Sequence, residues 1–275
     1  MSSMTSSKKI EAFRTEVLSY WREYGRHSLP WRKTVDPYKI LVSEVMLQQT
    51  QVPRVVEKYK SFIKKFPTVH ALAKAPLSEV LKEWSGLGYN RRAKYLHDAA
   101  KAIVTEYGGN TDEALKHALP GVGPYTRAAV RVFAFNEPHT MIETNIRTVY
   151  IHYFYGGRSS VSDKELIPLI EKAAEAQDPR TWHWALMDYG VYLKKLHKNP
   201  SRRSAHYTKQ SKFEGSLRQV RGAILRELAS GALTESAIMK KLSRCHLDTA
   251  LGARALGGLE RHGLIEKAKG KWRIQ

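Results

Sequence analysis

The sequence is poor in cysteine, in long apolar runs and in acidic residues. Its one cysteine, Cys245, excludes a disulfide framework and any zinc or iron–sulfur site held by several cysteines of this chain. No run of about 18 apolar residues occurs, so no membrane-spanning helix is expected. The polar residues 1–9 lack the apolar segment of a secretory signal. We therefore expect a soluble intracellular protein.

The shortage of acidic residues leaves a strong positive charge. The 275 residues include 46 Lys and Arg but only 26 Asp and Glu, a net charge of +20. Such an excess predicts a polyanionic partner, most often nucleic acid and less often an acidic membrane. Hydrophobic residues at 42% and charged residues at 26% are ordinary for a folded protein, which excludes a disordered or fibrous chain.

Apolar residues recur at helical spacing through most of the chain, and no alternating strand pattern occurs before about residue 263. We predict an all-α body over residues 8–197, with short helices that include one at 114–118. A basic linker or loop follows at 198–214. It lies on a phosphate backbone or is simply a solvated linker.

Residues 215–275 have the pattern of a winged helix-turn-helix domain. Three predicted helices, at 217–228, 235–242 and 246–262, precede two short strands joined at Lys269-Gly270. In such a domain the third helix can enter a DNA major groove. The alternative is a winged helix that contacts only proteins.

Leu119-Pro120-Gly121-Val122-Gly123 stands between two predicted helices. The glycines allow a tight turn and a close approach to a partner. The next helix begins near Pro124, so its free N–H groups would face an anion such as a DNA phosphate. A plain helix–helix turn is the alternative interpretation.

Five segments together resemble the helix-hairpin-helix DNA glycosylases, and among them the adenine DNA glycosylases. They are Leu29-Pro30-Trp31, the string Ser43-Glu44-Val45-Met46-Leu47-Gln48-Gln49-Thr50-Gln51-Val52, Gly86-Leu87-Gly88-Tyr89, the Leu119 to Gly123 hairpin, and Ala185-Leu186-Met187-Asp188-Tyr189-Gly190. They follow the family's order and spacing over about residues 8–195. The resemblance implies a helix-hairpin-helix glycosylase fold of two helical subdomains that binds double-stranded DNA.

Cleavage of an N-glycosidic bond needs a proton for the leaving base and a negative charge beside the sugar cation. The resemblance gives the first role to Glu44, whose apolar neighbours on its helix disfavour the ionised form. The second role falls to Glu143, with Asn145, although the family has aspartate at position 143. The added methylene indicates either a repositioned carboxylate or altered chemistry, because a displacement of about 1 Å can cost roughly a hundredfold in rate.

The resemblance also assigns Tyr125 to the catalytic residues, at a position where relatives that cleave the strand carry a lysine. Tyrosine cannot form a Schiff base, so we expect a monofunctional enzyme without lyase activity. Gln48 and Tyr89 match residues that insert into the base stack, while Trp31 and Gln49 match the lining of the base pocket. The remaining predicted DNA contacts are Gly121, Val122, Gly123, Lys194, Arg202 and Arg203.

Two departures from the family concern the C-terminal part. Many relatives carry four cysteines that bind an iron–sulfur cluster, but the corresponding positions here are Lys194, Ser201, Ser204 and Gln210. We therefore expect no cluster and no other metal or cofactor. The Nudix-like domain with which adenine glycosylases recognise 8-oxoguanine has no counterpart in the sequence, and the winged helix stands in its place.

The sequence thus predicts a monomeric, monofunctional DNA glycosylase of base excision repair. It would remove adenine opposite 8-oxoguanine or guanine and leave an abasic site, in a nucleoid-associated cytoplasmic setting or in a nucleus. Two alternatives stay open. One is a thymine or uracil glycosylase acting on mispairs with guanine, and the other is a catalytically weak, lesion-sensing DNA-binding protein.

Overall fold

The structure, a computed structural model, describes residues 2–275, with side chains from residue 7 onward. The helices in chain order are α1 (Ser2–Tyr24), α2 (Pro37–Leu47), α3 (Val52–Lys65), α4 (Val69–Lys74), α5 (Leu77–Trp84), α6 (Arg91–Tyr107), α7 (Thr111–Ala114), α8 (Pro124–Phe135), α9 (Thr144–Phe154), α10 (Asp163–Ala174), α11 (Pro179–Leu196), α12 (Leu217–Leu228), α13 (Glu235–Arg244) and α14 (Ala250–Arg261). The strands are β1 (Leu233–Thr234), β2 (Ile265–Ala268) and β3 (Lys271–Ile274), and 3-10 turns occupy Pro30–Arg32 and Pro200–Arg203. The mainly helical fold with a small C-terminal sheet confirms the predicted class.

Contacts divide the chain into two compact units that do not follow chain order. Unit 1 comprises the residues up to Ile40 together with Pro124–Lys209. Unit 2 comprises Leu41–Gly123 together with Gln210–Gln275. The linear domains 8–197, 198–214 and 215–275 stay a prediction.

In unit 1, α1 and α9 pack on α11. The apolar stripe of α1 predicts one buried face, and Phe13 lies within it with its ring 5.2 Å from that of Tyr150 and 5.8 Å from that of Trp182. Buried aromatic rings in edge contact supply much of the stabilisation of such a core. This packing fixes the N-terminal end of α9 and the face of α11 that carries Gly190.

In unit 2, α3 to α6 form a helical layer, and the C-terminal module of residues 210–275 belongs to the same unit. Trp84 of α5 is fully buried and lies edge-on to Phe62 of α3, with 6.1 Å between ring centroids. Within the module, α12 packs on α13 and α14, and Leu228, Leu242 and Leu259 are buried. The layer and the module each have a buried apolar face.

The module has a winged-helix-like arrangement with one more strand than predicted. The antiparallel sheet has the order β1-β3-β2, in which Leu233 of β1 and Lys267 of β2 both face Trp272 of β3. Two residues are too few to show strand alternation, which is why the sequence pattern does not predict β1. Thr234 caps α13, because its hydroxyl accepts the N–H of Ala237.

Two predicted helix boundaries were wrong for local reasons. The helix expected at 114–118 is instead α7, which Asn110 caps by accepting the N–H of Glu113, and it ends at Ala114. The third helix of the module begins at Ala250 rather than at 246, because His246 has a left-handed backbone with φ +53° that a right-handed helix does not accommodate. Over the described residues, no helix is long and apolar enough to cross a membrane.

Candidate functional site

The predicted site residues fall in both units. Unit 2 carries Glu44, Gln48, Gln49, Tyr89, Gly121, Val122 and Gly123. Unit 1 carries Trp31, Tyr125, Glu143, Asn145, Lys194, Arg202 and Arg203.

Glu44 lies in the second half of α2, on a stretch that is buried on every side. Only 7% of its surface is exposed, and its neighbours Ser43 and Val45 are buried as well. An ionised carboxylate is costly in such a place unless polar groups satisfy it. Gln48, one helical turn further along the chain, is half-exposed. Gln48 is the first residue after α2, so the more exposed amide lies just beyond the end of the helix that carries the buried acid.

Gln49 and Tyr89 both have left-handed backbones, which are uncommon for residues other than glycine. Their φ angles are +54° and +48°. Gly86 and Gly88, at +94° and +70°, shape the turn before Tyr89. Both segments are thus held in conformations that the surrounding structure must stabilise.

Arg92, which the sequence analysis missed, stabilises these two segments. Its guanidinium donates to the carbonyls of Val45 at 2.8 Å and Met46 at 3.0 Å, and also to that of Gln48. On the other side it donates to the carbonyls of Leu87 at 3.2 Å and Gly88 at 3.1 Å. Burial lowers the pKa of Arg92 to about 10.

The predicted hairpin forms a tight turn closed by a bridge between Leu119 and Val122. Gly121 has φ +69°, and a Cβ there would lie 2.5 Å from Cβ of Tyr95 on α6. Only glycine fits both the backbone conformation and the close approach. The turn therefore brings hairpin backbone against α6, and α8 begins directly after it at Pro124.

In unit 1, the Glu143 carboxylate caps α9. One oxygen, Oε1, accepts the backbone N–H groups of Asn145 at 2.7 Å and Ile146 at 2.9 Å. The other, Oε2, accepts from Nδ2 of Asn145 at 3.1 Å. The longer glutamate side chain thus folds back on its own helix, whose N-terminal dipole favours a negative charge. The fixed carboxylate and the amide beside it form one polar cluster.

Lys194 completes this cluster from α11. Its ammonium donates to Oδ1 of Asn145 at 2.7 Å, which leaves the amide NH2 group to face Glu143. Burial lowers the pKa of Lys194, while the nearby Glu143 charge opposes that shift. The sequence predicts that Lys194 contacts DNA, and in the structure its ammonium lies on Asn145.

The Met187-Asp188-Tyr189-Gly190 segment explains how α11 reaches α9. A Cβ on Gly190 would lie 2.5 Å from the carbonyl oxygen of Asn145, so glycine permits the close packing. Buried Asp188 accepts from Arg32 at 2.8 Å and pairs with Arg26. Burial alone would raise the pKa of Asp188, but these two arginines hold it below its usual value.

The other predicted residues of unit 1 have simpler surroundings. Trp31 is buried in the 3-10 turn, and Tyr125, the second residue of α8, is half-buried. Arg202 is exposed. Arg203 instead points inward, where its guanidinium donates to the carbonyls of Tyr155 at 2.8 Å and Ile151 at 3.3 Å.

The segment where relatives bind an iron–sulfur cluster holds protein hydrogen bonds instead. Ser201 is buried and donates to Oδ1 of Asn199 at 2.7 Å, while buried Ser204 accepts the N–H of His206 at 3.1 Å. With Lys194 on Asn145, this donor set does not fit an iron–sulfur cluster, which requires thiolates. Across the described residues, no group of three or more His, Cys, Asp or Glu side chains has metal-binding geometry.

Comparisons with known proteins show which family this chain resembles. Residues 42–174 match the family described as HhH-GPD superfamily base excision DNA repair protein. An adenine DNA glycosylase of Buchnera aphidicola subsp. Baizongia pistaciae is 35% identical over 189 residues, which cover 66% of this chain and 52% of that protein. The chain therefore spans about half the length of this relative.

Two further relatives are covered more fully. A thymine/uracil-DNA glycosylase of Methanothermobacter thermautotrophicus is 33% identical over 193 residues, which cover 68% of this chain and 87% of that protein. The solved structure of a thermostable thymine-DNA glycosylase aligns with a TM-score of 0.61 at 33% identity, over 68% of this chain and 88% of that one.

Proposed function

The chain belongs to the HhH-GPD superfamily of base excision DNA repair proteins, and from this premise we propose that it is a monofunctional DNA glycosylase. The observation that carries the proposal is a pair of carboxyl groups in contrasting settings. Glu44 is buried in the second half of α2, whereas Glu143 is held at the start of α9 by three hydrogen bonds. Two carboxyl groups with different surroundings suit one proton donor and one stabilising anion.

In the proposed reaction, Glu44 donates a proton to the base of a flipped nucleotide. The bond between C1′ of the sugar and the base nitrogen breaks, and its electron pair leaves with the protonated base. Glu143 stabilises the positive charge that develops on the sugar, with Asn145 fixing one of its oxygens. Water then adds to C1′ and returns a proton to Glu44, which leaves an abasic site. Tyr125 supplies no amine for a Schiff base, so no strand cleavage follows.

We propose adenine as the base removed, opposite 8-oxoguanine or guanine. The support is the resemblance over residues 43–52 and the relatives named adenine DNA glycosylase. The second candidate is removal of thymine or uracil from mispairs with guanine. It is favoured by the Methanothermobacter relative, of which this chain covers 87%. A lesion-sensing protein without excision is the third possibility.

A panel of labelled duplexes tests the proposal in single turnover. The duplexes carry A opposite 8-oxoguanine, A opposite G, T opposite G, U opposite G, and hypoxanthine opposite T, each read with and without alkali. Alkali-dependent cleavage of the adenine duplexes alone is expected. Cleavage of the T or U duplexes instead would keep the chemistry and replace the substrate, and no cleavage with tight binding would favour the lesion sensor.

Glu44→Gln identifies the proton donor. We expect it to lower excision by at least about a hundredfold, within the range that general acid catalysis contributes, while duplex affinity is retained. The matched control is Glu57→Gln on the exposed face of α3, which removes the same charge and should keep full excision. Equal rates in the two variants would rule out Glu44 as the acid.

We also propose that the chain works without an iron–sulfur cluster, as a monomer on double-stranded DNA. The hydrogen bonds of Lys194, Ser201 and Ser204 support the first point. Iron and sulfide analysis of the purified active chain tests it, and stoichiometric iron would contradict it. Sedimentation of the chain with and without a duplex tests whether it binds DNA as a monomer.

A further inference from the structure

Unit 2 contains a cavity of about 540 Å³ that the proposed chemistry does not use. Gln48, Tyr89 and Tyr95 line one side of it, together with hairpin residue Gly121. The other side belongs to the C-terminal module. The module residues are Leu217, Arg218 and Arg221 of α12 and His262, which follows α14.

The lining of this cavity is rich in cations and contains no Asp or Glu. Two of its four arginines are already engaged. Arg92 donates to the backbone carbonyls described above. Arg218 donates to the Tyr89 hydroxyl, and its Cζ lies 4.9 Å from the centroid of that ring. The other two, Arg91 of α6 and Arg221 of α12, both approach the imidazole of His262.

The His262 imidazole has too few acceptors for its two arginine neighbours. Nη2 of Arg221 lies 2.7 Å from Nδ1 of the imidazole, and Nη1 of Arg91 lies 3.4 Å from Nε2. A neutral imidazole has one acceptor nitrogen and an imidazolium has none, so at least one of these contacts cannot be a hydrogen bond. The cluster therefore holds more donors than acceptors.

The groups around Arg91, Arg221 and His262 add positive charge and do not balance it. Burial together with the charges of Arg91 and Arg261 lowers the pKa of Arg221. Burial and these three arginines also lower the pKa of His262. On α6, Asp98 is paired with Lys94 at 2.7 Å. An added anion would accept from both guanidiniums and relieve their repulsion.

We propose that Arg91, Arg221 and His262 bind a phosphate group of the DNA backbone. This inference rests on the proposed function, because the same cavity is lined by Gln48, Tyr89 and Gly121, which are predicted DNA contacts. The C-terminal module then takes part in DNA binding through α12 and the residue after α14. The exposed face of α14, the recognition helix of other winged helices, is not required.

Salt-dependent duplex binding of the full chain tests the inference. Removing one phosphate interaction should reduce the slope of log affinity against log salt concentration by about 1, and it should weaken binding equally on all duplex sequences. We expect this change for Arg221→Gln. Arg91→Gln, at an exposed residue of another helix, should give the same change, and the double variant should add little to either.

Two charge-matched variants define the alternatives. Arg244→Gln, at an exposed residue near the end of α13, should keep the slope of the unaltered chain. Arg254→Gln removes an exposed charge from α14 and should also keep it. A reduced salt slope in Arg254→Gln, with an unaltered slope in Arg221→Gln and Arg91→Gln, would overturn the proposal in favour of DNA binding by α14 as a recognition helix.

The imidazole of His262 reports on the ligand directly. In NMR spectra of the full chain, with the signal assigned by His262→Asn, we expect a duplex to raise the pKa of His262. Inorganic phosphate should do so only at much higher concentration. Saturation by inorganic phosphate with no response to a duplex would identify a free-anion site and overturn the assignment to DNA.

These outcomes are separate from those that test excision. If Arg221→Gln and Arg91→Gln reduce the slope of log affinity against log salt concentration as expected, but the unaltered chain releases no base, the glycosylase proposal is contradicted and the phosphate site stands. Base release with identical slopes in Arg221→Gln, Arg91→Gln and Arg244→Gln would contradict this site alone.

Discussion

At the scale of single residues, the side chains that fix a reacting group are as informative as the group itself. Asn145 can hold its amide in either of two orientations, which differ by exchange of oxygen and nitrogen. The Lys194 ammonium at 2.7 Å requires the oxygen on its side, so the NH2 group faces Glu143. Lys194 is thus a positioning residue for the Glu143 carboxylate, acting through Asn145.

We expect Lys194→Met to lower single-turnover excision by about tenfold to a hundredfold, because a displaced carboxylate is costly in rate. Duplex affinity should change little, and Lys194→Arg should restore part of the rate because it keeps a charged donor. Rates measured at saturating enzyme, beside separately measured dissociation constants, distinguish the two effects.

The neighbouring exposed lysine provides the control. Lys195→Met removes the same charge one residue further along α11 and should leave the excision rate unchanged. If Lys194→Met instead weakens binding and leaves the rate intact, Lys194 contacts DNA, as the sequence predicts, and the positioning role does not hold.

The sequence predicts candidate site residues, but it does not predict which groups their side chains contact. The motif string predicts the helix around Glu44, since helical spacing is a local property, whereas α2 ends at Leu47, one residue before Gln48. The contact between Lys194 and Asn145 joins residues 49 positions apart and depends on how α11 packs against α9. Arg92 was missed for the same reason, because its carbonyl partners lie on segments brought together only by folding.

At the scale of elements, one glycine sets the distance between α9 and α11. Gly190→Ala would place a Cβ 2.5 Å from the carbonyl oxygen and 2.7 Å from the Cβ of Asn145, so the helices must shift. We expect this variant to lower the free energy of unfolding by about 1–3 kcal/mol, the usual cost of overpacking. Thermal and urea unfolding measure this loss.

Gly222 on α12 is the matched control, since a Cβ there meets nothing within 4 Å. Gly222→Ala should stabilise the chain by up to about 1 kcal/mol, because alanine favours the helix. If Gly190→Ala is as stable as Gly222→Ala, the close helix approach is not the reason for glycine at 190.

Helices were predictable from the sequence where their own residues specify them. α12 begins and ends at the predicted residues 217 and 228, because apolar spacing and flanking residues agree. The short α4 and β1 were not predicted, since six and two residues are too few for a periodic pattern. Their formation depends on packing within unit 2.

At the scale of the whole molecule, net charge and buried tyrosines have opposite effects at high pH. Raising the pH above about 10 neutralises lysines, which eases the repulsion due to the net charge of +20. In unit 1, burial raises the pKa values of Tyr150, Tyr153 and Tyr189. Glu16, which accepts from the Tyr189 hydroxyl at 2.6 Å, raises the last two further.

A raised pKa means that the folded state keeps a proton which the unfolded chain releases near pH 10, so the stabilisation is complete below that pH and is lost above it. Repulsion between exposed charges is largely screened in about 0.15 M salt, whereas protons on buried tyrosines are not. The buried tyrosines should therefore determine how stability changes with pH in this range.

We expect the free energy of unfolding to fall as the pH rises above about 10, with tyrosinate absorbance appearing in the unfolding transition itself. Tyr153→Phe should make this fall less steep, whereas Tyr207→Phe, at an exposed position, should leave it unchanged. Tyrosinate absorbance that reaches its full value while the helical circular dichroism is intact would contradict the argument.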